Sequence, residues 1–187
     1  MPVRGQLRYN ATMQGLSRDD ILRALEMVAA ELPPSKPPAE LVVMGEAALV
    51  LLYGARETTR DVDALVVGPP GAASIRAVAR RVAAILELPE DWLNDGAKGY
   101  VHGFTRGEVL LQTPSLIIRS LALQQLLAMK LSAWRDDVDV NDARLLLSRL
   151  PGDREGVWQL IEPYLVPGHE LKARYAFDDL WETERGP

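Results

Sequence analysis

The sequence predicts an α/β (α+β) protein: a small mixed sheet flanked by helices, followed by a helical C-terminal part. Three observations carry that expectation. Short apolar runs alternate with helical patterns over the first two-thirds of the 187 residues, as expected when a sheet is covered by helices. Helical patterns alone fill the last third. Proline and glycine clusters fall between the runs and not within them, which marks them as connections.

The elements follow in chain order. Ser17-Arg18-Asp19-Asp20 reads as an N-cap with an acidic residue at N3, leading into ILRALEMVAAEL with apolar residues at helical spacing. Pro33 should end that helix, and residues 33–38, PPSKPP, form a stiff surface connector because proline supplies no backbone donor. Residues 41–44 are a short apolar strand closed by Gly45, residues 46–53 a helix packed on the sheet, and residues 61–67 the next strand. Gly68-Pro69-Pro70-Gly71 is a turn. Residues 73–88 place Ile75, Val78, Ala79, Val82, Ile85 and Leu86 at i, i+3, i+4 intervals, the pattern of an amphipathic helix. Residues 109–112 and 116–118 are strands broken at Thr113-Pro114. Four helical segments then run from Ser120 to the end, and Trp158, Tyr164, Tyr175, Phe177 and Trp181 recur in them at intervals that predict core packing. The expected division is a core over residues 1–119 and a helical part over residues 120–187.

Composition narrows the chemistry. Hydrophobic residues make up 48% and charged residues 25%, enough for a well-buried core. The net charge of -5 argues against a broad electrostatic grip on nucleic acid, although Arg56, Arg60, Arg76, Arg80 and Arg81 could form a local basic face. Arg76 and Arg80, an i, i+4 pair, also fit a plain solvated face. With no cysteine, neither disulfides nor thiolate chemistry can enter. The two imidazoles, His102 and His169, stand at no recognisable catalytic spacing. No run reaches the roughly 18 apolar residues of a membrane span, and no signal-peptide pattern opens the chain, so a cytoplasmic protein is expected.

Chemistry concentrates in Gly45 to Asp63, GEAALVLLYGARETTRDVD. Asp61 and Asp63, at i, i+2 on an extended segment, project to one side. Beside the apolar run from Ala64 to Val67 their charges would repel unless a cation lay between them, and carboxylate oxygens suit Mg²⁺ or Mn²⁺. The plainer alternative makes Asp61 a turn cap and Asp63 an exposed strand residue. Gly45 follows a strand and precedes a helical run, where a missing Cβ lets a phosphate approach the backbone. Lys130 stands on a helix with an apolar opposite face, so its ammonium could leave the core edge and meet a triphosphate, or be an ordinary surface lysine. Asp139 and Asp142 are helical neighbours. Asp142 also fits a helix cap or a partner of Arg135 or Arg144. Glu108 is the one candidate for a third carboxylate, with an exposed loop position as its alternative. Trp92, Asn94, Asp95 and Gly96 form a polar turn that could wall a pocket.

At these residues the chain resembles the nucleotidyltransferase fold, with a Gly-led motif followed by Asp-x-Asp. More narrowly, it resembles the AbiEii-type and MenT-type toxins of toxin–antitoxin pairs, Thr59 standing two residues before Asp61. The later segment Leu127 to Arg135, with Asp139 and Asp142 after it, is similar to that group's K-L-x-A motif, and the likeness spans residues 41–147. The resemblance implies Mg²⁺-dependent transfer of a nucleotide from an NTP to an RNA such as a tRNA 3′ end. Asp61 and Asp63 would hold the metal, Gly45, Glu46, Thr59 and Lys130 would meet the nucleotide, and Asp139 would orient Lys130 or help activate the acceptor. A cognate antitoxin would be a partner. Glu46 departs from the second glycine or serine of the motif and would repel a γ-phosphate. Two alternatives keep the fold: a binding or regulatory protein that has lost catalysis, and a nucleotidyltransferase acting on protein. Asp61→Ala and Lys130→Ala are both expected to abolish activity while sparing the fold.

Overall fold

The computed structural model describes residues 15–186. The chain divides into two compact units. The first comprises residues up to Gly96 together with Val109–Ser120, and the second comprises Ala97–Glu108 and the residues from Leu121 onward.

The first unit is built in the order β1 (Leu16–Ser17), α1 (Arg18–Glu31), β2 (Ala39–Met44), α2 (Gly45–Tyr53), β3 (Thr58–Thr59), β4 (Val62–Val67), α3 (Ala72–Leu86), β5 (Leu93–Asn94), β6 (Val109–Gln112) and β7 (Leu116–Ser120). Five strands form one mixed sheet in the order β5-β4-β2-β7-β6, and β1 pairs with β3 in a separate two-stranded ribbon. Within the main sheet, β2 runs antiparallel to β4 and parallel to β7, while β5 runs parallel to β4. The fold class is therefore a mixed α/β arrangement, as the alternating pattern predicted.

The middle of the sheet falls where the sequence is most continuously apolar. Leu41, Val42, Val43 and Met44 of β2 are fully buried, as a strand covered on both faces must be. In β4, Val62 and Ala64 are buried and the alternate residues are not, so this strand has one face on the core and one more open. That alternation puts Asp61 and Asp63 on the open side.

The predicted capping box is present: Ser17 Oγ accepts from Asp20 N, and Asp20 Oδ2 accepts from Ser17 N. Gly54 ends α2 in the left-handed conformation that glycine tolerates. Several expectations shift. The strand expected over residues 41–44 begins at Ala39 because its partner β7 starts pairing there, Ala39 opposite Leu116. The helix expected over residues 73–88 ends at Leu86, where Glu87 turns left-handed. Ile85, assigned to its buried face, is 61% exposed. The two-residue strands β1, β3 and β5 carry too few residues for any period to register.

The second unit contains α4 (Leu123–Ala133), α5 (Asp137–Arg149), α6 (Arg154–Ile161), a 3₁₀ turn (Glu162–Tyr164) and α7 (Glu170–Arg185). Phe177 is fully buried between Trp158 and Trp181, with ring centroids 5.4 and 5.6 Å away, within the range of favourable aromatic packing. Tyr175, expected in that core, is 68% exposed. It lies two residues from Phe177, about 200° around a helix from it, so the two rings cannot share a face. The carbonyls closing α4 find side-chain partners: Ser132 O accepts from His169 Nδ1 at 2.9 Å and Ala133 O from Lys172 Nζ at 2.6 Å. Such contacts satisfy the last carbonyls of a helix, and Lys172 places a positive charge at its negative end. His169 is thereby a structural donor. No helix among the described residues is long and apolar enough to cross a membrane.

Candidate functional site: a braced carboxylate pair

Asp61 immediately precedes β4, and Asp63 is its second residue. Between them Val62 points into the core, completely buried, and its N–H donates to Trp92 O at 2.6 Å. Trp92 is itself buried and donates from Nε1 to Ala79 O of α3 at 3.0 Å. The segment carrying the two carboxylates is thus pinned from beneath by a tryptophan tied to a helix. Thr59, buried in the β1–β3 ribbon, adds a second tie by donating its hydroxyl to Asp61 O at 3.2 Å.

Each carboxylate is held differently. Asn94 donates from Nδ2 to Asp61 Oδ2 at 2.7 Å and to Asp91 O at 3.3 Å, while its Oδ1 accepts from Gly96 N at 2.6 Å. Both ends of the amide are occupied, which fixes its orientation and makes it an aiming device for Asp61. Asp63 lies opposite Met44 of β2 on one side and Asn94 of β5 on the other. Two glycines lie beside its two oxygens. A Cβ on Gly45 would sit 3.4 Å from Asp63 Oδ2, and one on Gly96 would sit 3.4 Å from Oδ1 and 3.0 Å from Asn94 Oδ1. Gly45 also adopts φ +63, a region side chains enter only with strain. The left-handed backbone is what calls for glycine there.

Glu46 occupies the first turn of α2, whose N-cap residue Met44 supplies no side-chain cap. A carboxylate is favoured there by the unpaired N–H groups of the helix start. It also forms an ion pair with Arg56, Oε2 to Nη1 at 2.9 Å. Asp95 pairs with Arg76 at 2.8 Å, which removes Arg76 from a merely solvated face. Arg81 pairs with Glu31 at 2.8 Å and Arg80 reaches Glu90 only at 4.0 Å. Among the described residues no three His, Cys, Asp or Glu side chains gather closely enough to hold a metal by themselves. Two braced carboxylates on one side of a strand do suit Mg²⁺, which keeps several water and phosphate oxygens in its shell and needs only one or two from protein.

The second unit carries the other predicted residues. Lys130 is 6% exposed, and its Nζ lies 3.0 Å from Asp139 Oδ1 and 2.7 Å from Asp142 Oδ2. Arg135 holds Asp139 as well, through Nε at 2.8 Å, Nη2 at 3.1 Å and its backbone N–H at 3.0 Å. That return contact depends on Trp134, which closes α4 in the left-handed region at φ 35. Burial alone would raise the Asp139 pKa, but the Arg135 hydrogen bonds and the Lys130 charge outweigh it and hold the carboxyl well below the usual range. Arg135 is correspondingly raised by its bonds to Asp139. Its guanidinium also stands 5.7 Å from the Tyr100 ring centroid. The cluster matches two cations with two carboxylates. Lys130 therefore ends inside the unit and does not leave the core edge as its helical position suggested. Glu108 is exposed, as its loop alternative required.

In the sequence Asn94 reads only as part of a polar turn, and its bond to Asp61 links residues 33 apart in the chain. The available signal was a polar Asn-Asp-Gly directly after two buried apolar residues. Arg56 reads in the sequence only as a member of a basic face, and nothing in its neighbourhood points to Glu46. No family model, curated protein or solved structure matches the chain.

Proposed function

We propose that this protein is a divalent-metal-dependent nucleotidyltransferase, moving a nucleotide from an NTP to an acceptor hydroxyl. The observation that carries the reading is the pair Asp61 and Asp63, one aimed by Asn94 and the other flanked by Gly45 and Gly96. Rigid placement of this kind is what an electrostatic site needs, because side chains that must first reorganise lose most of their effect. Asp61 and Asp63 would hold Mg²⁺ or Mn²⁺, which supplies charge stabilisation at the phosphates. Gly45 leaves the start of α2 without a Cβ, so a phosphate can come close to the backbone. Thr59 and Trp92 keep the strand entry in place.

The acceptor hydroxyl attacks the α-phosphorus. A new O–P bond forms, the bond from the α-phosphorus to the bridging oxygen breaks, and pyrophosphate departs with that electron pair. The acceptor proton passes to solvent. For Lys130 and Asp139 we propose a supporting role, since the ammonium is already shared between two carboxylates. The likeness to toxin nucleotidyltransferases favours an RNA acceptor such as a tRNA 3′ end, and a cognate antitoxin as partner.

The test is incubation with each α-³²P-labelled NTP, Mg²⁺ and total cellular RNA, with Asp61→Asn in parallel. Label on RNA with the unaltered chain alone is the expected result. Label on protein would identify a protein-modifying enzyme. No transfer and no nucleotide binding would identify a binding or regulatory protein that has lost catalysis, the reading that the Glu46 carboxylate favours.

A further inference from the structure

Helix α3 holds the turn that aims Asp61 at two points. Trp92, where the turn begins, donates from Nε1 to Ala79 O at 3.0 Å, and Asp95, near its end, takes an ion pair from Arg76 Nη2 at 2.8 Å. Residues 76 and 79 are three apart on α3, so the two ties leave neighbouring positions of one helix. Between the tied residues stand Leu93 and Asn94, the whole of β5. That strand meets β4 at two residue pairs alone, Leu93 opposite Val62 and Asn94 opposite Asp63.

The path from Arg76 to Asp61 runs through Asn94. The Asn94 amide points Nδ2 at Asp61 Oδ2 while its Oδ1 accepts from Gly96 N. Asp95 is the residue between Asn94 and Gly96, so the turn that closes this bond also carries the ion pair. Once Asp95 is released, Gly96 N can leave Oδ1, and an amide held at one end only is free to rotate away from Asp61. Resting on the metal reading above, we propose that Arg76 is a positioning residue of the carboxylate site: by tying Asp95 to α3 it keeps Asn94 locked on Asp61, and so keeps Asp61 aimed for a divalent cation. A guanidinium suits this task because its planar fork holds a carboxylate in a fixed direction, which a lysine ammonium does not. Asp95 takes part in further contacts as well, so loss of Arg76 loosens the turn without freeing it.

The test is the affinity for Mn²⁺ alone, titrated by electron paramagnetic resonance. The chains compared are the unaltered one, Arg76→Met, Arg76→Lys, Asn94→Ala, Asp61→Asn and the double variant Arg76→Met/Asn94→Ala. Field and positioning predict opposite signs. Removing a cation that acted only through its field tightens Mn²⁺, whereas losing the hold on Asn94 weakens it. Arg76→Met should weaken Mn²⁺ about threefold, less than Asn94→Ala because Arg76 stands one contact further out, and Arg76→Lys should fall between Arg76→Met and the unaltered chain. In the Asn94→Ala background Arg76→Met should have no further effect, since its path is already cut. Unchanged or tighter Mn²⁺ in Arg76→Met, or the same loss in both backgrounds, overturns this inference alone, provided that Asp61→Asn still abolishes binding. If the unaltered chain shows no Mn²⁺ binding that depends on Asp61, the metal site falls and this inference with it. Should circular dichroism show Arg76→Met to be poorly folded, Arg76→Lys decides the matter, because it keeps the charge and removes the fork.

Discussion

Replacing Lys130 with methionine keeps most of the side-chain volume and removes the cation from between two buried carboxylates. Asp139 would still be held by three hydrogen bonds from Arg135. Asp142, 3% exposed, would lose the ammonium 2.7 Å from its Oδ2. Removing one partner of a buried pair costs about 3–5 kcal/mol. With Asp139 still held, the lower end, about 3 kcal/mol, is expected, and for a chain of this size it lowers Tm by roughly 6–12 °C. Urea unfolding followed by far-ultraviolet circular dichroism measures it, with tryptophan fluorescence as a second probe because Trp134, Trp158 and Trp181 all lie in the same unit. Adding Asp142→Asn to Lys130→Met should recover about half of the loss, since a neutral amide leaves no uncompensated charge. A loss below about 1 kcal/mol, the range of exposed pairs, would refute the reasoning. The expectation that Lys130→Ala would spare the fold is revised on the same ground.

Further outcomes follow from other contacts. The depressed Asp139 carboxyl gives stability that is fully present above the unfolded aspartate value, about 3.9, and is lost as pH falls through the lower folded value; acid titration of Asp139→Asn against the unaltered chain should show a stability gap that narrows in strong acid. Gly45→Ala should cost about 1–2 kcal/mol through its left-handed backbone at φ +63, read as a lower urea midpoint, and an unchanged midpoint would refute the strain. Asn94→Ala should weaken Mn²⁺ binding by about tenfold or more, as loss of an outer partner does, and titration of free Mn²⁺ by electron paramagnetic resonance reads it. Glu87→Gly should stabilise by about 1 kcal/mol, since Glu87 caps α3 at φ 56 on the surface, and a fall in the urea midpoint would show that its side chain makes a contact worth more than the strain.

The two kinds of knowledge divide along physical lines. Periodicity announced the mixed α/β class, the capping box at Ser17 and the buried run of β2, because these depend on neighbours within a few residues. The same local reasoning put Asp61 and Asp63 on one side of a strand, since alternation is a property of extended backbone alone. It did not reach Asn94 on Asp61, Arg56 on Glu46, or Gly96 against Asp63, because each joins residues that only the folded chain brings together. Lys130 shows the difference most clearly. On its helix it could be drawn as a cation at the core edge, while α5 supplies two carboxylates that take it inside. Charge type and spacing were set by the sequence, whereas burial and partnership were decided by packing, because a charge leaves water only where tertiary structure brings its counter-charge to meet it.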